Sequence, residues 1–327
     1  MSGPRVVALG GGHGLAAGLS ALRRVSSQLT AVVTVADDGG SSGRLRTELH
    51  ALPPGDLRMA LAALVSDDAR GRTWARALQH RFGGEGPLAG HAVGNLLLAG
   101  LAECTGDPVA ALDLTAELVG AVGRVLPMSP VPLEIVADVR IPARRHGALR
   151  EVVGQVAVAT AIGEVTAVRL RPADPPACEA SVTAVREADW VVLGPGSWFS
   201  SVLPHLLVPG LRAALVGTHA RRLVCLNLAA QDGETEGFSP QAHLQVLSTH
   251  APDLRIDVVL ADRAAVADVP ALTEAAAALG ARLVLADVAL GDGTARHDPA
   301  RLAGVYAELF ARHSRDAADP TQENACP

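Results

Sequence analysis

Near its start the chain reads VVALGGGHG at residues 6–14, a short apolar run that leads directly into glycines. An apolar run of this length is typical of a buried strand. Glycine has no Cβ, so the backbone can approach a bound group closely, and the helix predicted over residues 15–25 points its first N–H groups at the same place. The stretch therefore predicts a strand, an anion-binding turn and a helix, as in nucleotide-binding α/β folds.

A second glycine-rich stretch, DDGGSSGR at residues 37–44, follows the apolar run at residues 31–36. In a dinucleotide-binding fold the second strand normally ends in one acid that binds ribose, whereas this one ends in Asp37 and Asp38. Leu15 and Ala17 also occupy positions where the G-x-G-x-x-G pattern needs glycine. The sequence disfavours an NAD(P) oxidoreductase and predicts a loop for an anion, a metal ion or both.

The remaining pattern indicates one large α/β domain. Further strand-length apolar runs lie at residues 190–193, 223–228, 257–261 and 282–286, with helix-length patterns between them. Continuous apolar strands that alternate with helices favour a mostly parallel sheet covered on both faces. We expect a Rossmann-like, three-layer α/β fold.

Two excursions from this sheet are predicted. Residues of about 56–122 have an almost entirely helical pattern, and residues of about 131–172 are expected to form a small antiparallel β insert, with strands over 133–141, 152–160 and 164–170. The domain is expected to span residues 1–312, followed by a disordered tail over 313–327.

Composition excludes several classes of function. The chain has 327 residues, 49% of them hydrophobic, and a net charge of −6, so we expect binding neither to nucleic acid nor into a membrane. All 28 basic residues are arginine, which excludes Schiff-base lysine enzymes and Walker A kinases. The four scattered cysteines show no metal-binding spacing and are expected to be buried and reduced, and we expect a cytoplasmic protein.

Polar loops also follow two later strands, at residues 194–201 and 229–237. Loops at the carboxyl ends of parallel strands face one crevice, so we expect them to converge with the first two loops on one ligand. Helix starts near residues 53–58 and 90–95 add further polar groups. The candidate ligand-binding residues are Gly11, Gly12, His13, Gly14, Asp37, Asp38, Ser41, Ser42, Arg44, Asp56, Arg58, His91, Asn95, Gly194, Gly196, Ser197, Ser200, Asn227 and Gln231.

Each of these residues also has a plainer interpretation. Asp37 and Asp38 are candidates for Mg²⁺ or for ribose hydroxyls, or they bond to N–H groups of their own turn. Ser197 binds a phosphate or caps a helix, and Asp56 and Asn95 cap helices or contact the ligand. Arg44 and Arg58 are phosphate clamps or surface ion pairs, and His91 is an acid–base group or a structural histidine. Catalytic residues are not predicted, because no nucleophile is paired with a base.

Six segments together resemble the YvcK/CofD-like family, in its gluconeogenesis-factor branch: residues 10–15, 34–46, 53–58, 90–98, 194–211 and 231–237. The resemblance extends over residues of about 5–312. The sequence departs from many relatives at His13, Met59 and Ala230, where Thr, Asn and Thr are frequent.

The resemblance implies a factor that binds a nucleotide sugar such as UDP-N-acetylglucosamine and that supports cell shape and cell-wall synthesis during gluconeogenic growth. It also implies a homo-oligomer or a cell-wall regulatory protein as partners. The related CofD branch implies an alternative, a Mg²⁺-dependent transferase. That enzyme moves a phospholactyl or phosphoenolpyruvyl group from a guanosine diphosphate adduct to a deazaflavin, and its deazaflavin-binding aspartate matches Asp37 and Asp38.

Overall fold

The computed structural model describes residues 3–141, 149–231 and 233–318, with side chains described through residue 312. The strands are β1 (Val6–Gly10), β2 (Leu29–Val33), β3 (Arg124–Pro127), β4 (Glu134–Arg140), β5 (Leu149–Val153), β6 (Glu164–Arg171), β7 (Trp190–Leu193), β8 (Arg221–Cys225), β9 (Val258–Asp262) and β10 (Arg282–Ala286).

Seven of these strands form a parallel sheet in the order β10-β9-β8-β7-β1-β2-β3. The chain moves outward from β1 in one direction through β2 and β3, and in the other through β7 to β10. Strand β1 pairs with both β2 and β7, so Val6 lies beside Leu29 on one side and Trp190 on the other. The order therefore reverses between β1 and β7, which is where open α/β sheets leave a crevice for ligands.

The helices are α1 (Gly12–Leu22), α2 (Gly40–Leu49), α3 (Gly55–Leu64), α4 (Ala69–Gln79), α5 (Val93–Thr105), α6 (Pro108–Val119), α7 (Gln155–Ala159), α8 (Glu179–Glu187), α9 (Pro209–Gly217), α10 (Pro240–His250), α11 (Val269–Ala278) and α12 (Pro299–Ala318). Helix α1 packs against α3 and α12, while α8 packs against α9 and α10 against α11. A π-helical turn, Trp198–Val202, and a 3₁₀ turn, Leu203–Leu207, follow β7.

The core explains why the apolar runs predicted the sheet well. Strands β1 and β9 are buried at every residue, which is why, apart from Asp262 at the end of β9, they are apolar and do not alternate. Helix α12 closes one side of the sheet, where the ring of Phe310 lies 4.9 Å from that of Trp190. The α/β class, the parallel sheet and the antiparallel insert are confirmed.

The insert differs from its prediction in one element. Strand β4 is central and pairs antiparallel with β5 and β6, as expected. The predicted strand over 152–160 is wrong, because the chain turns at Gly154, where φ is +102°, and continues as helix α7. Val158 is the fully buried residue of this helix, so the alternating Val and Ala pattern over 152–160 covers the end of β5 and a short helix.

Other boundaries also differ. Strand β3 was not predicted, because it is only four residues long and includes a proline. Strands β2 and β8 begin and end earlier than the runs at 31–36 and 223–228. Helix α12 continues to Ala318, so an irregular tail does not begin at residue 313; residues 319–327 lie outside the described part.

Within the described residues, no single helix is long and apolar enough to span a membrane. A bent pair, Trp198–Leu207 with Pro209–Gly217, has the necessary length and composition but is broken by an angle of 80°.

Candidate functional site

The glycine loops after β1 and β7 touch each other at the point where the strand order reverses. A Cβ added at Gly14 would lie 2.4 Å from Gly196 Cα and 2.4 Å from the carbonyl oxygen of Pro195. Gly194 and Gly196 have φ of +74° and +148°, a region that side chains rarely adopt. These glycines therefore allow two backbones to meet with no side chain between them.

Asn227 fixes this contact from the end of β8. Its Oδ1 accepts the N–H of Gly196 at 2.9 Å, and its Nδ2 donates to the carbonyl oxygen of the same residue at 2.8 Å. Both ends of the amide are thus used by the loop. Asn227, predicted to bind ligand, holds the loop in place.

The N-terminus of α1 faces the same region without a side-chain cap. Gly11 is the N-cap residue and makes no capping hydrogen bond, and Gly12 has φ of +60°. His13 lies exposed in the first turn. N–H groups of an uncapped first turn are suited to an anion.

Asp56 lies directly beside this turn. A Cβ at Gly11 would come within 2.4 Å of Asp56 Oδ2, and that oxygen is buried with no hydrogen-bond partner among the described residues. Burial raises the pKa of Asp56 to about 7, and the charge of Asp37 adds to the rise, while the N–H of Gly12 and the charge of Arg58 oppose it. Asp56 is in the first turn of α3 but is not its cap, since the N-cap residue is Pro54.

Asp37 and Asp38 point to different partners. Asp37 Oδ1 accepts the N–H of Gly39 at 2.9 Å, and its Oδ2 would be 2.4 Å from a Cβ at Gly55. Asp38 Oδ1 accepts the N–H of Val156 at 3.0 Å, so this carboxylate holds the start of α7 in the insert. Asp37 is therefore coupled to Asp56, whereas Asp38 links the loop to the insert.

The contacts of Asp37 and Asp38 bear on the predicted Mg²⁺ site. The described residues contain no group of three or more His, Cys, Asp or Glu side chains able to hold a metal ion. Asp37 and Asp38 each use one carboxylate oxygen in the hydrogen bonds given above, and their role as Mg²⁺ ligands stays a prediction.

Ser41, Ser42 and Arg44 were predicted to lie in a loop, but they belong to the first turns of helix α2. Ser41 Oγ lies 2.9 Å from His91 Nδ1 and accepts a hydrogen bond from Asn95 Nδ2 at 3.0 Å. Burial lowers the pKa of His91, as does the charge of Arg44, so the imidazole is neutral near pH 7. Asn95 is not a helix cap, since Ala92 has that position, and its buried Oδ1 has no partner in the described structure.

Arg44 is directed toward a neighbouring loop. Its Nη2 donates to the carbonyl oxygen of Ala89 at 2.7 Å, and its Nη1 lies 3.4 Å from that of Pro87. Arg58 is buried, with 4% of its surface exposed, and burial lowers its pKa. Neither residue forms a surface ion pair with the described acids, so that alternative is wrong for both.

The segment after β7 closes the other side of the site. Ser197 is the N-cap residue of the turn Trp198–Val202 but makes no side-chain capping bond, while Ser200 is buried. Glu234 Oε2 accepts the N–H of Phe199 at 3.2 Å, and burial raises the pKa of Glu234. Trp198 and Phe199 are buried beneath the loop, so they are not placed to stack on a base.

The loop at 229–237 reaches the insert. Gln231 N–H donates to Thr235 Oγ1 at 2.8 Å, and a Cβ at Gly233 would lie 2.3 Å from the carbonyl oxygen of Ala159. Helix α7 thus contacts the Asp38 loop at its start and the Gly233 loop at its end. Asp232 lies outside the described residues.

Two polar residues at this edge, Thr34 and Gln155, were not among the predicted site residues. Buried atoms without a hydrogen-bond partner in the described ranges include Thr34 Oγ1 and Gln155 Oε1, as well as Oε1 of the predicted site residue Gln231. Buried polar atoms nearly always have a partner, so these are groups that a polar ligand can satisfy. Thr34 lies three residues before Asp37, so its place in the sequence could have indicated it. Gln155 gives no such signal, because its position depends on the insert.

Away from this edge, a surface pocket of about 450 Å³ lies at the amino ends of β1 and β2, lined by Arg5, Gln28, Arg124 and Glu187 among others. It is at the opposite end of the sheet from the glycine loops, so it does not belong to the candidate site. Cys178 and Cys225 are buried and free as expected, whereas Cys104 is exposed.

Comparison with known proteins agrees with this architecture. The family described as 2-phospho-L-lactate transferase CofD matches residues 6–292. A Mycobacterium tuberculosis protein provisionally named as a gluconeogenesis factor is 57% identical over 310 residues, covering 94% of this chain and 90% of that protein. The gluconeogenesis factor of Halalkalibacterium halodurans is 38% identical over 263 residues, covering 80% of this chain and 78% of its own length.

Solved structures give the same result for the fold. The crystal structure of a UPF0052 family member from Bacillus halodurans superposes with a TM-score of 0.82 at 33% identity, over 93% of this chain and 99% of that one. The family match covers most of the domain, including every loop of the candidate site. The chain therefore belongs to the CofD-like UPF0052 family, whose close relatives here carry the name gluconeogenesis factor.

Proposed function

We propose that this protein is a cytoplasmic factor that binds a nucleotide sugar of the UDP-N-acetylglucosamine class. The main support is the contact between Gly14 and Gly196 beside the uncapped N-terminus of α1. Backbone N–H groups with no intervening Cβ are suited to a diphosphate. The unpaired polar atoms of Thr34, Asn95 and Gln231 supply partners for ribose and sugar hydroxyls.

In this proposal the protein reports nucleotide-sugar supply during gluconeogenic growth, and its occupied form acts on cell-wall synthesis through a protein partner. The names of the relatives support the link to gluconeogenesis. Ser41 Oγ lies 2.9 Å from His91 Nδ1, but both side chains are buried and the same Oγ also accepts a hydrogen bond from Asn95. This arrangement supports a structural role for the pair and favours binding over turnover.

Thermal unfolding with UDP-N-acetylglucosamine, GTP and NAD separates the alternatives. A ligand at about 100 times its dissociation constant raises the free energy of unfolding by about 2.7 kcal/mol, and we expect this increase with the nucleotide sugar. In the Gly14→Ala variant the nucleotide sugar should no longer raise the stability, because the new methyl group collides with the Gly196 loop. Stabilisation by NAD alone would contradict the proposal.

A second function is supported by the CofD family match, by Asp37 and Asp38 as candidate Mg²⁺ ligands, and by the neighbouring Asp56, whose raised pKa suits a proton acceptor. In such a transferase a deazaflavin hydroxyl forms a new O–P bond, the bond to the guanosine monophosphate breaks, and the hydroxyl proton passes to a base. Asp56, with a pKa of about 7, is placed to hold that proton, and Mg²⁺ when bound would stabilise charge on the phosphates. Incubation with the adduct, deazaflavin and Mg²⁺ tests it by release of guanosine monophosphate; Asp56→Asn should abolish that release.

A further inference from the structure

Three arginines lie near residues 87–94: Arg44 and Arg81 contact the loop at 87–91, and Arg58, which feels the charge of Arg81, packs against Gly94. Arg44 belongs to α2, Arg58 to α3, and Arg81 follows α4. Arg44 Nη2 donates to the carbonyl oxygen of Ala89 at 2.7 Å, and Arg81 Nη1 donates to that of Gly90 at 2.8 Å. We call Arg44, Arg58 and Arg81 the arginine cluster.

Arg58 is the least satisfied member of the cluster. Only 4% of its surface is exposed, yet its Nε has no hydrogen-bond partner among the described residues. Its side chain also makes no ion pair within 4.0 Å with any described acid. The missing Cβ of Gly94 makes room for it, since a Cβ there would lie 2.8 Å from Arg58 Cγ. A buried guanidinium is costly unless neighbouring charges or a bound anion compensate it, so the position of Arg58 is suited to a compensating anion.

The neighbouring charges compensate Arg58 only in part. Burial and the charge of Arg81 lower the pKa of Arg58, and together they outweigh Asp56 and Asp37, which act in the opposite direction. Arg44 and Arg81 are bound through carbonyl oxygens, which orient a guanidinium without neutralising it.

The cluster uses different groups from the diphosphate cradle of the proposed function. That cradle is formed by backbone at Gly14 and Gly196, and Asp56 lies against Gly11 on its border. The cluster consists of guanidinium groups carried by α2, α3 and the segment after α4.

We propose that the arginine cluster binds the phosphate or carboxylate group of a second small molecule, held beside the nucleotide. This proposal rests on the proposed function for the nucleotide but uses different residues. Arginine recognises both oxyanions through paired N–H donors, and three guanidiniums suit a compact, multiply charged group. Arg81, which nothing in the sequence singled out, becomes a ligand-binding residue.

The test uses inorganic phosphate as the probe, titrated into the full chain and followed by calorimetry with and without saturating UDP-N-acetylglucosamine. Phosphate should bind in both conditions, and Arg81→Gln should weaken it at least tenfold. Arg76→Gln is the matched control, because Arg76 is exposed on the preceding helix and carries the same charge. Arg58→Gln should also lose phosphate binding, but this substitution changes the packing of a buried position. Arg81 is exposed, so Arg81→Gln tests the anion site without changing the core.

The outcomes separate the two proposals. Equal phosphate affinity in wild type and Arg81→Gln, or no phosphate binding to wild type, would overturn the proposed anion site at the cluster. Displacement of phosphate by the nucleotide sugar would also overturn it, since the arginines would then hold the nucleotide's own phosphates. If the nucleotide sugar fails to bind while phosphate binding still requires Arg81, the proposed function fails and the anion site at the cluster stands.

Discussion

The carboxyl group of Asp56 is buried against Gly11 and Thr34, which raises its pKa from 3.8 to about 7. Between these values the folded protein holds a proton that the unfolded chain has released, so the free energy of unfolding falls as pH rises from about 4 to 7. A shift of about 3 pH units corresponds to a loss of about 4 kcal/mol at most. Asp56→Asn cannot ionise, so we expect it to be more stable than wild type at pH 8 and similar at pH 4, measured by urea unfolding.

Asp253 provides a control of the opposite sign. It is exposed and paired with Arg212, which lowers the pKa of its carboxyl. Asp253→Asn should therefore bring no gain in stability at pH 8. If Asp56→Asn were no more stable than wild type at pH 8, the carboxylate of Asp56 would already have an adequate partner in the fold.

At the scale of elements, the contact between the first turn of α1 and the loop after β7 depends on one missing methyl group. In Gly14→Ala the new Cβ would lie 2.4 Å from backbone atoms of Pro195 and Gly196, so one of the two loops must move. We expect a loss of stability of about 1–3 kcal/mol, typical of overpacking, together with loss of nucleotide-sugar binding. Calorimetry and urea unfolding measure the two effects.

Gly18, one turn further along α1, is the matched control. A Cβ there would be 3.6 Å from Pro195 Cδ, which is an ordinary contact. Since alanine is a better helix former than glycine, Gly18→Ala should stabilise the protein by about 0.5–1 kcal/mol and leave ligand affinity unchanged. Normal affinity in Gly14→Ala would remove this contact from the site.

Helix α7 is held over the site by Asp38, which accepts the N–H of Val156 at 3.0 Å. We expect Asp38→Ala to free the start of this five-residue helix, because a helix of this length has few hydrogen bonds of its own. Hydrogen exchange of residues 155–159 should become faster while exchange in the main sheet does not change. Glu164→Gln, which removes an exposed ion pair with Arg140 in the same insert, should leave α7 protected.

The sequence predicted elements well where burial alone decides the pattern. Strands β1 and β7 are buried at every residue, so their apolar runs were sufficient. Helix α7 was not predictable, since its five residues are helical because of Gly154 and Asp38, which are distant in sequence from one another. The intrinsic helix propensity of residues 155–159 does not depend on a partner as distant in sequence as Asp38.

At the scale of the whole molecule, the edge of the sheet that carries the candidate residues was predictable and their contacts were not. Asp37, Asp56 and Arg58 were proposed from their loops, because parallel strands bring loops to one edge. The bonding of Asn227 to Gly196 depends on contacts between separate strands. The burial of Arg58 and the nearness of Arg81 likewise depend on how the helices pack, which no short motif encodes.

Helix α12 supports the fold from a position away from the glycine loops, so stability and ligand binding should be separable. Phe310 is buried against Trp190 at the start of β7, and α12 packs on α1. Phe310→Ala removes a large buried ring, and we expect it to lower the free energy of unfolding by about 3–5 kcal/mol. Urea unfolding should show this loss, whereas the dissociation constant for the nucleotide sugar, measured at low temperature on folded protein, should not change. Glu308→Ala, exposed on the same helix, should alter neither quantity; a loss of affinity in Phe310→Ala without a loss of stability would mean that α12 acts directly on the site.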